Sequence, residues 1–186
     1  MDKEKEIEVK FKLENVDTVR EKLKSLGGIP DEKIEQKTFS LFDRFRFLSR
    51  KGIFIRTRKD GDKSTFTIKT RNLELQSQYA ERNEFNVSVE DAEAVAEMLK
   101  LIGLEDLRIL QKYREQWHEL GEDVDVVIDY TPIGEFIEIE GEKKSIDEFI
   151  DAVGLGDLPR ITQAYWDVYR DSCKDLGVDE KNDLVF

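Results

Sequence analysis

The chain has little of the chemistry that supports thiol, zinc or histidine-based catalysis. Its 186 residues include one cysteine, Cys173, and one histidine, His118. One cysteine cannot form an intrachain disulfide, and the two residues are too few for a zinc site of Cys and His ligands. A Ser-His-Asp or Cys-His arrangement would have to use His118, and no motif around that residue supports one. We expect both residues to be structural.

Phosphate-binding loops and long apolar runs are also absent. No G-x-x-x-x-G-K-[ST] or G-x-G-x-x-G segment occurs, so any phosphate chemistry must be organised by side chains. No window approaches the ~20 apolar residues of a membrane span, and the N-terminus lacks the apolar core of a signal peptide. These absences predict a soluble, cytoplasmic protein without a membrane partner.

The balance of charge is acidic, with 30 Lys and Arg against 42 Asp and Glu and a formal net charge of −12. A nucleic-acid partner is disfavoured, because non-specific binding to a phosphate backbone needs a broad basic surface. Charged residues form 39% of the chain, well above the roughly 25% of ordinary domains. The length predicts a single domain over 1–177, followed by a polar, loosely held tail over 178–186.

Strict alternation of apolar and polar residues, the period of a half-buried strand, dominates the sequence. In the first segment, Ile7, Val9, Phe11 and Leu13 alternate with glutamate and lysine. The alternation predicts eight strands, over 6–13, 33–42, 53–59, 64–71, 80–89, 108–117, 124–130 and 135–141.

Helical spacing is found in four places. Asn15 or Asp17 can cap a first helix that ends at Gly27-Gly28, and Asp91 can cap a second that ends at Gly103. A capping box of Ser145 and Glu148 predicts a third helix, and the last is expected from about 159 to 175. This last helix, with Tyr165, Trp166 and Tyr169, either plugs one end of the strand assembly or packs on its outside, and aromatic residues at helical spacing favour packing.

The two halves of the chain are related. Residues 8–27 align without gaps on residues 84–103 with seven identities, and each half then has the order strand, helix, strand, strand, strand. Neither half has enough elements for a core of its own. The sequence therefore predicts an α+β fold in which a duplicated β-α-β-β-β unit forms one domain.

Alternation alone places most of the charged strand residues on a common face. That face holds nine basic and six acidic residues, so it is basic within an acidic chain. One interpretation is an open sheet with one wet face. The other is a closed, eight-stranded antiparallel barrel with charges inside and apolar residues facing helices outside. The basic composition of the face favours the barrel.

The charges on this face are grouped by sign. Carboxylates lie on the first strand and on EFIEIEG, while arginine and lysine fill IRTR, TIK and KYR. Carboxylates without histidine or cysteine form an all-oxygen site that suits Mg²⁺ or Mn²⁺. The surrounding cations need an anion with several charges, and a polyphosphate that bridges metal and cations fits both groups.

Six short motifs, in order, resemble those of CYTH domains, the triphosphate tunnel metalloenzymes. They are Glu6-Ile7-Glu8-Val9-Lys10, Ile55-Arg56-Thr57-Arg58, Thr67-Ile68-Lys69, Arg82-Asn83-Glu84, Lys112-Tyr113-Arg114 and Gly134-Glu135-Phe136-Ile137-Glu138-Ile139-Glu140, with Asp129 at the position of the tunnel aspartate. The resemblance covers about residues 6–170. It implies an eight-stranded tunnel that holds a metal-triphosphate complex.

The resemblance also implies roles for individual residues. Glu6, Glu8, Glu138 and Glu140 would hold one divalent cation, and Asp129 with a shared glutamate would hold a second or position water. Asp129 and Lys69 are the catalytic candidates. Glu84 would orient the cations that grip the phosphates, which are Lys10, Arg56, Arg58, Lys69, Arg82, Lys112 and Arg114.

The chain departs from the family pattern at positions that would meet the organic part of a substrate. The strand after the first helix has Thr38 and no tyrosine where the family has Q-x-D-x-Y-F-D, and Thr70-Arg71 replace Gly-Pro after Lys69. We therefore expect metal-dependent hydrolysis of a small triphosphate, inorganic or organic, by a monomer or homodimer. Class IV cyclisation of ATP is the alternative, and a non-catalytic binder of polyphosphate or nucleotide is the third hypothesis.

Overall fold

The computed structural model describes residues 2–72, 77–121 and 123–186. Its strands are β1 (Asp2–Leu13), β2 (Ile29–Pro30), β3 (Ile34–Phe42), β4 (Ile53–Asp60), β5 (Lys63–Thr70), β6 (Ala80–Val89), β7 (Asp106–His118), β8 (Val124–Thr131), β9 (Gly134–Gly141) and β10 (Asp183–Leu184). Its helices are α1 (Val16–Ser25), α2 (Phe47–Arg50), α3 (Ala92–Leu101), α4 (Lys143–Val153) and α5 (Tyr165–Leu176).

Eight of these strands close into an antiparallel barrel. Their order is β7-β3-β4-β5-β6-β1-β9-β8, and pairing of β8 with β7 completes the ring. The eight alternating segments of the sequence are these strands, with ends displaced by a few residues. The expected α+β fold with a closed eight-stranded barrel is confirmed.

The apolar side chains of the barrel strands point outward and pack against the helices. One core cluster joins β1, β8 and β9 to α1 and α4, with Leu23 and Ile146 fully buried. A second joins β3 to α3 through Phe39 and Ala96. Because successive strand residues point to opposite faces, this arrangement turns the charged set inward.

Two helices begin where the sequence predicts. The side chain of Asn15 accepts hydrogen bonds from the backbone N–H groups of Asp17 and Thr18, and Asp91 does the same at α3. Such caps satisfy N–H groups that have no partner within the helix.

The other two predicted helix starts are wrong. Helix α4 begins at Lys143, so Ser145 lies inside the helix and forms no capping box. Helix α5 begins at Tyr165 rather than 159, because Ile161 exchanges backbone hydrogen bonds with Lys10. Helix α2 is a single turn that the sequence analysis did not predict.

The C-terminal tail, 178–186, is attached to the barrel more firmly than the sequence predicts. Asp183 and Leu184 pair in parallel with Ile109 and Leu110 of β7, along the part of β7 that β8 does not reach. Leu184 is buried. Across the described ranges, no helix combines the length and apolar character of a membrane span.

Candidate functional site

A cavity of about 670 Å³ lies inside the barrel. Its lining includes all of the predicted site residues except Glu84 and Asp129, which lie behind the lining residues. Those that line it are Glu6, Glu8, Lys10, Arg56, Arg58, Lys69, Arg82, Lys112, Arg114, Glu138 and Glu140. The structure thus brings together side chains from six of the barrel strands.

The carboxylates come from two neighbouring strands, β1 and β9. Their register sets Glu8 opposite Glu140 and Lys10 opposite Glu138, and β6 sets Arg82 opposite Glu6. Directly opposite residues share a face of the sheet, so Glu6, Glu8 and Glu140 form one acidic corner.

Most of these carboxylates have a cation beside them. Glu8 accepts hydrogen bonds from Lys10 and Arg82, and Glu6 lies 2.7 Å from the Lys69 ammonium. Burial raises the pKa of Glu8, but the cations, Lys10 foremost, outweigh burial and bring that pKa to about 2. Glu8 is therefore ionised at neutral pH.

Glu140 differs from the other carboxylates. No Lys or Arg of the described chain lies within 4.0 Å of its carboxylate. Burial raises its pKa to about 7, and the negative charges of Glu6 and Glu8 add to that effect. Glu140 is thus the one carboxylate of the acidic corner with no lysine or arginine in contact among the described residues.

Within residues 2–72, 77–121 and 123–186, no three His, Cys, Asp or Glu side chains are already gathered as a metal site. Glu6 instead forms an ion pair with Lys69, and Glu8 forms one with Arg82. The donors still fit a divalent cation, because they are carboxylates only and Glu140 has no ion-pair partner in the described part of the chain. Glu6, Glu8 and Glu140 would hold such an ion when the lysine and arginine partners of Glu6 and Glu8 bind another anion.

The basic side of the tunnel is formed by β4, β5 and β7. Arg56 donates to Glu84 at 2.8 Å, and Lys69 lies 2.7 Å from the same carboxylate. Glu84 therefore joins two of the predicted phosphate-binding cations.

Arg58 is the counterpart of Glu140. It has no carboxylate within 4.0 Å in the described part of the chain, and its Nε donates to the Thr38 hydroxyl at 3.1 Å. Burial lowers the pKa of Arg58 to about 9, and the neighbouring cations Arg56 and Arg114 add to the shift. A buried cation without an anion is costly unless a ligand supplies one.

Asp129 is fully buried and surrounded by donors. Its carboxylate accepts hydrogen bonds from Arg114 Nε at 2.8 Å and Nη2 at 2.6 Å, from Lys112, and from the Tyr165 hydroxyl at 2.8 Å. Burial raises its pKa, but Arg114 and Lys112 more than offset this and the pKa is lowered. Asp129 fixes two cations in place.

The residues at one mouth of the tunnel were not predicted from the sequence. Helix α5 does not merely pack outside, because Tyr165, Trp166, Asp167 and Arg170, with Ala164 before them, line the cavity and Tyr165 reaches Asp129. From the barrel, Phe42, Phe54 and Arg108 line the same region. Strand alternation carries a signal for these three, since Phe42 is in phase with Thr38, Phe54 with Arg56, and Arg108 with Lys112.

A closed eight-stranded barrel with an acidic corner, a basic wall and helices outside is the fold of a tunnel protein. The CYTH domain model matches residues 4–155, and the chain belongs to this family. The resemblance in the six motifs is thereby confirmed at the level of the family.

Individual relatives agree with this assignment. The chain is 28% identical over 146 residues to "Putative adenylate cyclase MJ0240" of Methanocaldococcus jannaschii, which covers 77% of this chain and 80% of the relative. The structure of the Pyrococcus horikoshii protein PH1012 has a TM-score of 0.72 at 23% identity and covers 87% of this chain and 98% of its own.

A second similar structure comes from Hippeastrum. HpAC1, described as a putative adenylyl cyclase with a dominant triphosphatase activity, has a TM-score of 0.61 at 12% identity. It covers 90% of this chain and 96% of its own. Both structural likenesses concern the fold.

Proposed function

We propose that the protein hydrolyses a small triphosphate, inorganic or organic, inside the tunnel with the help of a divalent cation. The observation that carries this proposal is the pair of unmatched charges, Glu140 and Arg58. One needs a cation and the other an anion. A metal-triphosphate complex supplies both at once.

The cation would be Mg²⁺ or Mn²⁺, held by Glu6, Glu8, Glu138 and Glu140. CYTH proteins depend on metal in general, and oxygen donors alone are the set that hard divalent ions prefer. When bound, such an ion neutralises phosphate charge and acidifies a water molecule.

The phosphate oxygens would be held by the basic wall. Arg58 is free to bind at once, while Lys10, Arg56, Lys69, Arg82, Lys112 and Arg114 would exchange or share their carboxylate partners with phosphate. Charge develops on the phosphoryl oxygens during in-line displacement, so fixed cations lower the barrier. Lys69, between Glu6 and Glu84, remains the catalytic candidate among them.

In this proposal Asp129 is a positioning residue. Its contacts with Lys112, Arg114 and Tyr165, together with its lowered pKa, make it a poor proton acceptor. It holds the two cations toward the substrate. A bound cation, rather than this carboxylate, would supply the acidity of the attacking water.

Class IV cyclisation of ATP is the second candidate, because the Methanocaldococcus jannaschii relative is named for it. The same cations would then assist attack by the ribose 3′-hydroxyl on the α-phosphorus, with pyrophosphate leaving. The charges inside the tunnel are compatible with both reactions, so the reaction products must distinguish hydrolysis from cyclisation.

The test is to incubate the purified protein with inorganic triphosphate, thiamine triphosphate or ATP, each with Mg²⁺ and with Mn²⁺. Release of phosphate from any of them supports the proposal. Cyclic AMP with pyrophosphate supports the cyclase. Tight binding without turnover of any substrate supports a non-catalytic binder and rejects both reactions.

A further inference from the structure

Helices α1 and α3 occupy equivalent places in the two halves of the chain but are covered differently. Val19 and Leu23 of α1 are buried in a core cluster to which α4 contributes. Their equivalents in α3, Val95 and Leu99, are only half-buried. Helix α4 follows the last strand of the second half, whereas in the first half β5 leads to β6 through 71–79, which is shorter than the 11 residues of α4. The chain therefore has no counterpart of α4 to cover α3.

The outer face of α3 is apolar where that of α1 is polar. Met98 and Leu101 take the places of Lys22 and Ser25. The exposed fractions of Met98 and Leu101 are 64% and 88%, and Ile102 on the same face is 77% exposed. Since α1 carries polar residues at these positions, the fold itself does not require apolar ones. Large apolar side chains grouped on one exposed face are typical of an interaction site.

Helix α2 adds a second exposed apolar group beside the first. Leu48 of α2 and Leu99 of α3 pack against the same core cluster, so the two helices are neighbours. Phe45 and Phe47 are 73% and 58% exposed. The Asp43 carboxylate accepts hydrogen bonds from the backbone N–H groups of Phe45 at 3.1 Å and Phe47 at 2.8 Å, which fixes the turn that carries both rings. We call Phe45, Phe47, Met98, Leu101 and Ile102 the α2–α3 surface.

The charges around this surface differ in sign between its two parts. The exposed charged residues beside α3 are Glu93, Glu97 and Glu105, and those beside α2 are Arg44, Arg50 and Lys51. Lys100 is paired with Glu97 of its own helix and leaves the α3 part acidic. A partner must therefore be apolar throughout, basic where it meets α3 and acidic where it meets α2.

A second copy of the chain meets these conditions. Rotation about a two-fold axis sets α2 of each copy against α3 of the other, so that apolar residues meet apolar residues and each charged part meets the opposite sign. We infer that the protein forms a homodimer through the α2–α3 surface in this arrangement. The contact closes after two copies, because each surface is used by the other. The inference is independent of the reaction in the tunnel.

The first test is the mass of the full chain in solution by sedimentation equilibrium, which should be twice 21.8 kDa. Met98→Lys combined with Leu101→Ser gives α3 the residues of α1 and should raise the dissociation constant of the dimer about 100-fold. Leu176→Ser is the control, since Leu176 is 76% exposed at the end of α5 and should leave the dimer unchanged.

A second test reverses the charges of each part separately. Glu93→Lys with Glu97→Lys makes both parts basic, and Arg44→Glu with Arg50→Glu makes both parts acidic. Each double variant should be monomeric alone, because like charges then face each other. An equimolar mixture of the two should recover the dimer, which also shows that both are folded. The matched control is Asp17→Lys with Glu21→Lys at the equivalent positions of α1, and it should dimerise as the wild type does.

Three outcomes would overturn the inference. A wild type with the mass of one chain rejects a second copy as the occupant of the surface. A dimer that Met98→Lys with Leu101→Ser does not weaken has its interface elsewhere. Charge variants that keep the circular dichroism spectrum of the wild type and stay monomeric when mixed reject the pairing of α2 with α3.

Discussion

The two sides of the tunnel leave opposite charges unmatched. On the acidic side Glu138 lies beside Lys10 and Arg114, whereas Glu140, two residues later on the same strand, has no lysine or arginine within 4.0 Å in the described ranges. On the basic side Arg56 is paired with Glu84, whereas Arg58 donates to the Thr38 hydroxyl and has no carboxylate within 4.0 Å among the residues that the structure describes. The paired charges hold neighbouring strands of the tunnel together, and the unpaired ones are the charges on which the proposed function rests.

The largest expected effect is that of Arg58→Gln on turnover. Removing a preorganised cation from a transition state that gains negative charge typically costs about 10²–10³ in rate. Lys59→Gln is the matched control, because Lys59 is exposed on the outer face of the same strand. Steady-state phosphate release measures both variants, and near-normal kcat/KM in Arg58→Gln would contradict the assignment.

The next effect concerns the acidic side. Loss of a residue that only hydrogen-bonds a metal ligand weakens metal binding roughly 10- to 100-fold. Loss of a metal ligand itself should cost at least as much, so we expect Glu140→Gln to weaken Mn²⁺ binding by at least this factor. Glu142→Gln removes an exposed charge just beyond the strand and should leave the affinity unchanged. Calorimetric titration at pH 8 compares the two, and equal affinities would exclude Glu140 from the metal site.

A smaller effect is the pH dependence of metal binding. Since the pKa of Glu140 is about 7, the residue must lose a proton before it can bind a cation below that pH. The Mn²⁺ affinity of the wild type should fall about tenfold for each pH unit below 7 and level off above it. In Glu140→Gln, the Mn²⁺ affinity should lose the part of this pH dependence that comes from ionisation of Glu140. An identical slope in both proteins would assign it to another group.

The smallest effect is on stability. The folded-state pKa of Glu140 lies above its ordinary value of 4.5, so the folded chain binds the proton more tightly than the unfolded chain. Metal-free wild type therefore loses stability as pH rises from about 4.5 to about 7. Glu140→Gln should be about 1 kcal/mol more stable at pH 8, allowing for partial exposure.

Urea unfolding at pH 8 and at pH 5 measures this difference. The gain should shrink at the lower pH, where wild-type Glu140 is largely protonated. Glu142→Gln should stay within about 0.5 kcal/mol of the wild type at both values. A gain in Glu140→Gln that is independent of pH would point to a packing effect instead.

The sequence predicts the barrel well because strand side chains alternate with a period of two. Knowing that Ile137 and Ile139 face a core is enough to place Glu138 and Glu140 inside. The basic composition of that face then distinguishes a tunnel from a wet sheet. Pairing register, by contrast, depends on turns and on distant strands, so the position of Glu140 opposite Glu8 is known only from the structure.

Helix α5 was harder to predict. Aromatic residues at helical spacing indicate an apolar contact, and Tyr165 does pack on Phe136 at 5.1 Å between ring centres. The spacing gives no information about the end of the side chain, where the hydroxyl meets Asp129. Similarly, Ser145 and Glu148 fit a capping box, but the N-cap of α4 is Glu142, three residues earlier, because the connection after Gly141 is short.

The position of β1 in the barrel has a consequence for synthesis of the chain. Strand β1 pairs only with β6 and β9, and so gains its second neighbour only when the chain has been made to about residue 141. Such distant pairing slows folding and leaves nascent strand edges open to aggregation. Charged residues on an unpaired edge oppose wrong pairing. We therefore expect Glu6, Glu8 and Lys10 also to oppose wrong pairing of β1 until β9 has been made.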